Sequence, residues 1–349
     1  MRWGLNSLKN LSKGILAVFL FILAIQLMKA GAFSLGPFLN NFNTLLSNPL
    51  KTLSVGWLAS YLILSGSPIA AMALVFFEAG VISELETFTM IMGSRFGAEI
   101  IVIMVGLIAI FRGENRSESL STGVIAFLVT YSIHIPAAFL GYLMIYKEML
   151  SFVKIGAPPF VLSFIDVIYT PVVEFLLNHL PAWINFLLSL GIIYLSFELF
   201  DRAIPKVRID ETRFRKSARH LGKPIVSFFL GAVITTFTMS VSISMSVLVP
   251  LFLRGYIKRR EIVPYMIGAN IMTFIDTLII AILLENPTAV IIVLAELVGV
   301  ALISLPCLVF YDKYYFFIEN LTEHILKSTR RVVLFMLILF IIPIVLILG

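Results

Sequence analysis

Two short hydroxyl clusters lie 175 residues apart in this chain, Ser65-Gly66-Ser67 and Ser240-Val241-Ser242, each inside a run of apolar residues. Hydroxyls so placed are uncharged oxygen ligands, suited to a hard cation or to the rim of an anion site. Each cluster is followed by a small-residue element, Gly93-Ser94-Arg95-Phe96-Gly97-Ala98-Glu99 in the first case and Gly268-Ala269-Asn270-Ile271 in the second. Ser240, Ser242, Ser244, Asn270, Thr273 and Asp276 offer oxygens that suit sodium, and Glu99 adds a carboxylate. Arg95 is the one Arg or Lys expected deep in an apolar layer, where a charge costs at least about 2.5–3.5 kcal/mol and must face a cavity or a partner. It either contacts an anion or neutralises Glu99, four residues on. Asp276 is either a proton- or sodium-bearing carboxylate or a partner for a neighbouring helix. His134, two residues before Pro136, reads as a structural hydrogen-bonder rather than a proton relay.

The clusters belong to a longer correspondence. Residues 56–93 and 231–268 align without a gap, with 8 identities in 38 positions. The identities fall at Gly56/Gly231, Ser65/Ser240, Ser67/Ser242, Gly80/Gly255 and Gly93/Gly268, among others. A duplicated, serine-bearing, interrupted apolar segment points to a transport site.

The elements that must position these residues are membrane helices. The chain is 60% hydrophobic with a mean hydropathy of +1.02, and its apolar runs are long enough to cross a hydrocarbon core roughly 30 Å thick. The lone Cys307 excludes a disulfide framework, and the basic Met1–Lys13 flank leads into what reads as an uncleaved first helix. Of 26 basic residues, 21 cluster near 2–13, 112–116, 202–223, 254–260 and 313–331. The positive-inside rule places all five clusters, and the N-terminus, on the cytoplasmic side of a plasma membrane. The loop at 78–86 carries three glutamates and no basic residue, whereas its counterpart at 254–261 carries four basic ones, so the two copies should enter from opposite sides. Basic residues also flank both ends of 224–253, which makes that segment a re-entrant hairpin rather than a crossing, and 50–80 mirrors it.

The expected fold is an all-α polytopic membrane protein with two inverted-topology repeats, each with a re-entrant hairpin and a broken helix. Repeat 1 covers 1–146, with helices near 14–33, 84–111 and 119–146, the second broken at Gly93–Gly97. An external connecting segment, 147–182, should carry a surface helix. Repeat 2 covers 183–312, with helices near 183–201, 260–284 and 288–310, and 313–349 holds an amphipathic segment and a last transmembrane helix.

In these motifs the chain resembles the sodium–phosphate cotransporter family, the type II carriers and their bacterial relatives. That family has two inverted repeats, each with a QSSS-type hairpin motif followed by a GANIGTT-like motif. The resemblance covers roughly 15–146 and 187–310 and implies the re-entrant fold and secondary active transport, with a binding role for Ser65, Ser67, Ser240, Ser242 and Asn270. The departures are specific. Leu64 and Met239 stand at the glutamine positions, Gly66 and Val241 at the middle serines, and Arg95 and Glu99 at an asparagine and a threonine of the first GANIGTT-like motif.

The function expected is therefore cation-coupled secondary transport of a small anion, inorganic phosphate first, with sodium as coupling ion and protons through Glu99 or Asp276 as the other choice. Ser65, Gly66, Ser67, Arg95, Ser240, Ser242 and Asn270 form the expected substrate site. A non-transporting scaffold, sensor or pore that keeps the fold is the rival. An intramembrane enzyme is disfavoured, since no HExxH, paired histidines or Ser/His/Asp set comes together in the sequence. The expected partners are the anion and the bilayer, with no nucleic acid, and small-residue faces could support a homodimer.

Overall fold

The computed structural model describes residues 2–39, 43–111, 116–203, 223–241, 244, 245, 248, 252 and 257–349. All regular structure among them is α-helical. Eight helical stretches are long and apolar enough to cross a bilayer, which makes the chain a multi-pass membrane protein.

The chain opens with α1 (Arg2–Leu39), a short α2 (Asn43–Leu46), then α3 (Pro49–Ile63), α4 (Ser67–Glu78) and α5 (Glu84–Ala98). It continues with α6 (Ile100–Phe111), α7 (Arg116–Tyr146), α8 (Pro159–Ile168), α9 (Thr170–His179) and α10 (Ala182–Ala203). The second half holds α11 (Pro224–Thr238), α12 (Arg259–Met272), α13 (Phe274–Leu283), α14 (Pro287–Val309), α15 (Tyr311–Leu326) and α16 (Thr329–Leu348). Between α11 and α12, residues 241, 244, 245, 248 and 252 are helical.

The 175-residue offset reappears in the backbone. Both α3 and α11 begin at a proline, Pro49 and Pro224, and both end at a left-handed residue, Leu64 (φ 56°) and Met239 (φ 51°). Both α5 and α12 begin with a glutamate folded back on the chain: Glu86 accepts from the Ser83 amide at 2.7 Å and Glu261 from the Lys258 amide at 2.9 Å. Four glycines then join α3 to α5 and α11 to α12. A Cβ on Gly56 would fall 2.1 Å from the Met90 carbonyl oxygen, and on Gly93 1.9 Å from that of Leu53. The same atom on Gly231 would meet the Tyr265 oxygen at 2.0 Å, and on Gly268 that of Phe228 at 2.1 Å. Backbone-to-backbone approach of this kind admits no side chain.

The remaining helices wrap these two units. The long α1 lies along α10, and α7 packs against α14 and α6. Lys29 on α1 pairs with Glu78 at 3.3 Å and donates to the Leu284 carbonyl at 3.1 Å, while Asn286 donates to Glu78 at 2.7 Å. At the start of α12, Arg259 pairs with Glu319 at 3.0 Å and Arg260 pairs with Asp312, so the amphipathic α15 is pinned to α12.

Two boundaries differ from the sequence reading. The break in the first long helix falls at Glu99, between α5 and α6, and not at Gly93–Gly97, because those glycines are spent on contact with α3 inside an unbroken helix. In segment 147–182 there are two helices, α8 and α9, rather than one, because Pro171 removes an amide donor and starts a new helix after Tyr169. Together they span 21 residues, long enough to cross.

Candidate functional site

Each left-handed residue throws the chain into an open turn, and the two turns face one small cavity. After Leu64 come Ser65 and Gly66, the N-cap of α4, followed by Ser67 and Pro68 in its first turn. Gly66 has no alternative, since a Cβ there would lie 2.7 Å from the Ser94 carbonyl oxygen on α5. After Met239 the chain presents Ser240 and Val241, and the Thr238 hydroxyl donates to the Ser240 carbonyl at 3.0 Å. Ser65, Gly66, Ser67 and Ser240 all line the cavity, so residues far apart in sequence meet at one place.

Its other wall is built where the long helices are interrupted, at Glu99 and Thr273. Arg95 and Asn270, equivalent by the 175-residue offset, each reach across to the other half. Arg95 is 4% exposed; its guanidinium donates to Thr273 at 3.3 Å and to Thr277, and pairs with Asp276 at 3.6 Å. The guanidinium also lies over the Phe274 ring, 4.9 Å from its centroid. In return, Asn270 donates to the Thr130 hydroxyl on α7 at 3.0 Å, and that hydroxyl donates to Glu99 Oε1 at 2.8 Å. Arg95 therefore pairs with Asp276 on α13 and not with Glu99 on its own chain segment. Turning Arg95 toward the second half leaves Glu99 Oε2 without a partner among the described residues, as is Arg95 Nε.

Of the residues expected from sequence, Ser65, Gly66, Ser67, Arg95, Glu99, Ser240, Asn270 and Thr273 are brought together on this wall. Asp276 and Ser244 are not. Asp276 is fully buried behind Arg95, accepting from the Thr277 amide at 2.5 Å and its hydroxyl at 2.8 Å. Ser244 turns away into a hydroxyl ladder, 3.0 Å from Thr235 and 2.6 Å from the Tyr265 hydroxyl. Ser242 lies outside the described residues. Sequence reasoning missed Thr130 and undervalued His134, both on α7 and both on the cavity wall. A threonine and a histidine one helical turn apart in the apolar run 124–146 were the signal available.

Chemically, the wall offers hydroxyls and an amide carbonyl for a hard monovalent cation, and one buried guanidinium for an anion. Comparison of the chain with protein-family models, with curated proteins and with solved structures finds no match.

Proposed function

We propose that this protein is a cation-coupled secondary transporter of a small anion, with inorganic phosphate as the first candidate, working by alternating access. The observation that carries this reading is the convergence of both hydroxyl turns and a buried arginine on one cavity enclosed by apolar helices. Irregular backbone is tolerated at membrane depth where it lines such a cavity, and solute sites of carriers sit there. The resemblance to the sodium–phosphate cotransporter family supports the same reading, as do the opposite charges of the loops at 78–86 and 254–261, which fit inverted repeats with two re-entrant hairpins. A cytoplasmic N-terminus in the plasma membrane follows from the same charge pattern.

In this mechanism the anion engages Arg95 and the turn serines. Sodium, if it is the coupling ion, would be held by Ser240, Asn270, Thr273 and Glu99. Its charge offsets Glu99, whose carboxylate otherwise opposes an anion. Movement of the two glycine-joined units relative to the surrounding helices would expose the cavity to each side in turn.

Phosphate uptake into proteoliposomes under an inward sodium gradient, with potassium- and proton-gradient controls, tests the proposal. Saturable, sodium-dependent uptake that is lost in Arg95→Ala or Ser240→Ala supports it. Absence of phosphate flux in every gradient rejects phosphate, and absence of flux for sulfate, carboxylates and nucleosides as well would leave the scaffold reading. For the topology, single cysteines at positions 222 and 257 should both label from the cytoplasmic side, and labelling from opposite sides would reject the re-entrant hairpin.

A further inference from the structure

Near the middle of the 23-residue α14 stands a carboxyl group that the transport site does not use. Glu296 is 0% exposed, and neither of its side-chain oxygens has a hydrogen-bond partner among the described residues. The packing around it brings backbone onto backbone. A Cβ on Gly299 would lie 2.8 Å from the Ala137 carbonyl oxygen on α7, and one on Gly141 would lie 3.2 Å from that of Ala295. Glu296 follows Ala295 and precedes Gly299 by one turn, and Ala137 comes one turn after His134 of the cavity wall. The helix contact that shuts this carboxyl off from solvent therefore begins one turn from the site.

A carboxylate ionised in such a place, with both oxygens dry and unpaired, is far costlier than the neutral acid. The helices packed against α14 are α4, α5, α7, α12, α13 and α15. Their charges are engaged with other groups: Glu78 with Lys29, Glu86 with the Ser83 amide, Glu261 with the Lys258 amide, and Asp276 with Arg95. Arg259 and Arg260 hold Glu319 and Asp312, and the His134 ring bonds the Thr130 carbonyl. The charge that acts on Glu296 is that of Arg95 on α5. A linkage follows. The Arg95 guanidinium favours an ionised Glu296, and an anion seated on Arg95 cancels that influence and so favours the proton. Coupling between two binding sites is reciprocal, so the proton favours the anion in equal measure.

We propose that Glu296 is a proton-binding site of this protein, loaded together with the anion through the charge of Arg95. The carboxylate takes its proton from water on the side to which the cavity opens, forming an O–H bond, and returns it to water on the other side. The proposal rests on the transport reading above and adds a coupling ion to it, at a residue apart from the oxygens that would hold sodium.

Infrared spectroscopy of the protein reconstituted in lipid tests it, because the C=O stretch of a protonated carboxyl group is read directly and apart from the protons of phosphate itself. At neutral pH the unaltered protein should show such a band, and Glu296→Gln should lose it. Saturating phosphate, or sulfate if sulfate is the anion taken up, should move the pH at which the band fades upward by about one unit, a tenfold change in proton affinity. A band unchanged by Glu296→Gln shows Glu296 to be ionised and overturns the inference. A band that the anion does not move, in a protein that takes that anion up, also overturns it: Glu296 is then a permanent structural acid, and the transport reading stands without it. Absence of uptake for every anion tested overturns the transport reading and the coupling with it. Should Glu296→Gln fail to fold, Glu296→Asp should displace the band rather than remove it, and absence of any such band from the unaltered protein overturns the inference with no variant at all.

Discussion

The two turns that meet at the cavity share a backbone path and little of their chemistry. In the first half, α3 and α5 are braced by aromatic rings: Trp57 lies 5.1 Å from Phe96 and 5.5 Å from Tyr131, ring centre to ring centre, and its indole donates to Tyr61 at 2.8 Å. Tyr61 in turn donates to the Leu339 carbonyl on α16. In the second half α11 is joined to α12 through the ladder Thr235, Ser244 and Tyr265, whose equivalents in the first half are Ser60, Ile69 and Met90. Charge is divided just as unevenly. The first half contributes Arg95 and Glu99 to the cavity, and the second contributes the uncharged Asn270 and Thr273 there and sets Asp276 behind Arg95. Backbone geometry here is set by where glycine and a left-handed residue fall, and the chemistry is then free to differ between the halves.

The largest effect should come from what the halves share. Gly93→Val and Gly268→Val would each press a side chain into a carbonyl, costing on the order of 3 kcal/mol or more, and should abolish the monodisperse detergent-solubilised protein. Tolerance of one and not the other would break the equivalence.

Next come the differences. Arg95→Ala should lower phosphate uptake by roughly 30-fold or more, as loss of a partner in a buried charge pair commonly costs 2–5 kcal/mol. Exchanging the two residues, Arg95→Asn with Asn270→Arg, should not restore uptake, because the first-half positions equivalent to Asp276 and Thr277 are Ile101 and Val102. Recovery of uptake in that double variant would show the halves to be interchangeable. A smaller effect is expected from Thr130→Val, which removes the hydroxyl between Asn270 and Glu99 and should reduce uptake about fivefold, equivalent to about 1 kcal/mol. Smallest is Tyr265→Phe, which takes one rung from a ladder present in one half alone. It should lower thermal stability by about 1 kcal/mol without changing the uptake rate at saturation.

Much of this was legible in the letters because it depends on spacing. The offset placed Ser65 with Ser240 and Arg95 with Asn270, and hydropathy gave the long helices α1, α5–α6, α7, α10, α12–α13, α14 and α16. The sequence did not disclose that Leu64 and Met239 adopt a left-handed conformation, since neither is a residue type that favours it, and the turn is imposed by the packing around it. Nor could spacing choose Arg95's partner. Glu99 stands at i+4 on the same strand of sequence, yet the interruption at Glu99 and the approach of α13 deliver Asp276 instead. Thr130 and His134 were hard to see for a different reason: single polar residues in an apolar helix most often bond locally, and only the meeting of α7 with both interruptions gives them a cavity.

The four glycine contacts also bear on how such a chain can age. The paired segments agree at only 8 of 38 positions, yet at each of these four glycines a carbonyl oxygen occupies the place of the missing methyl group. What the architecture forbids to change is an absence of atoms, spread over a handful of positions at fixed intervals. A distant descendant could keep the whole arrangement, with different side chains lining it, while sharing with its ancestor scarcely more than those gaps.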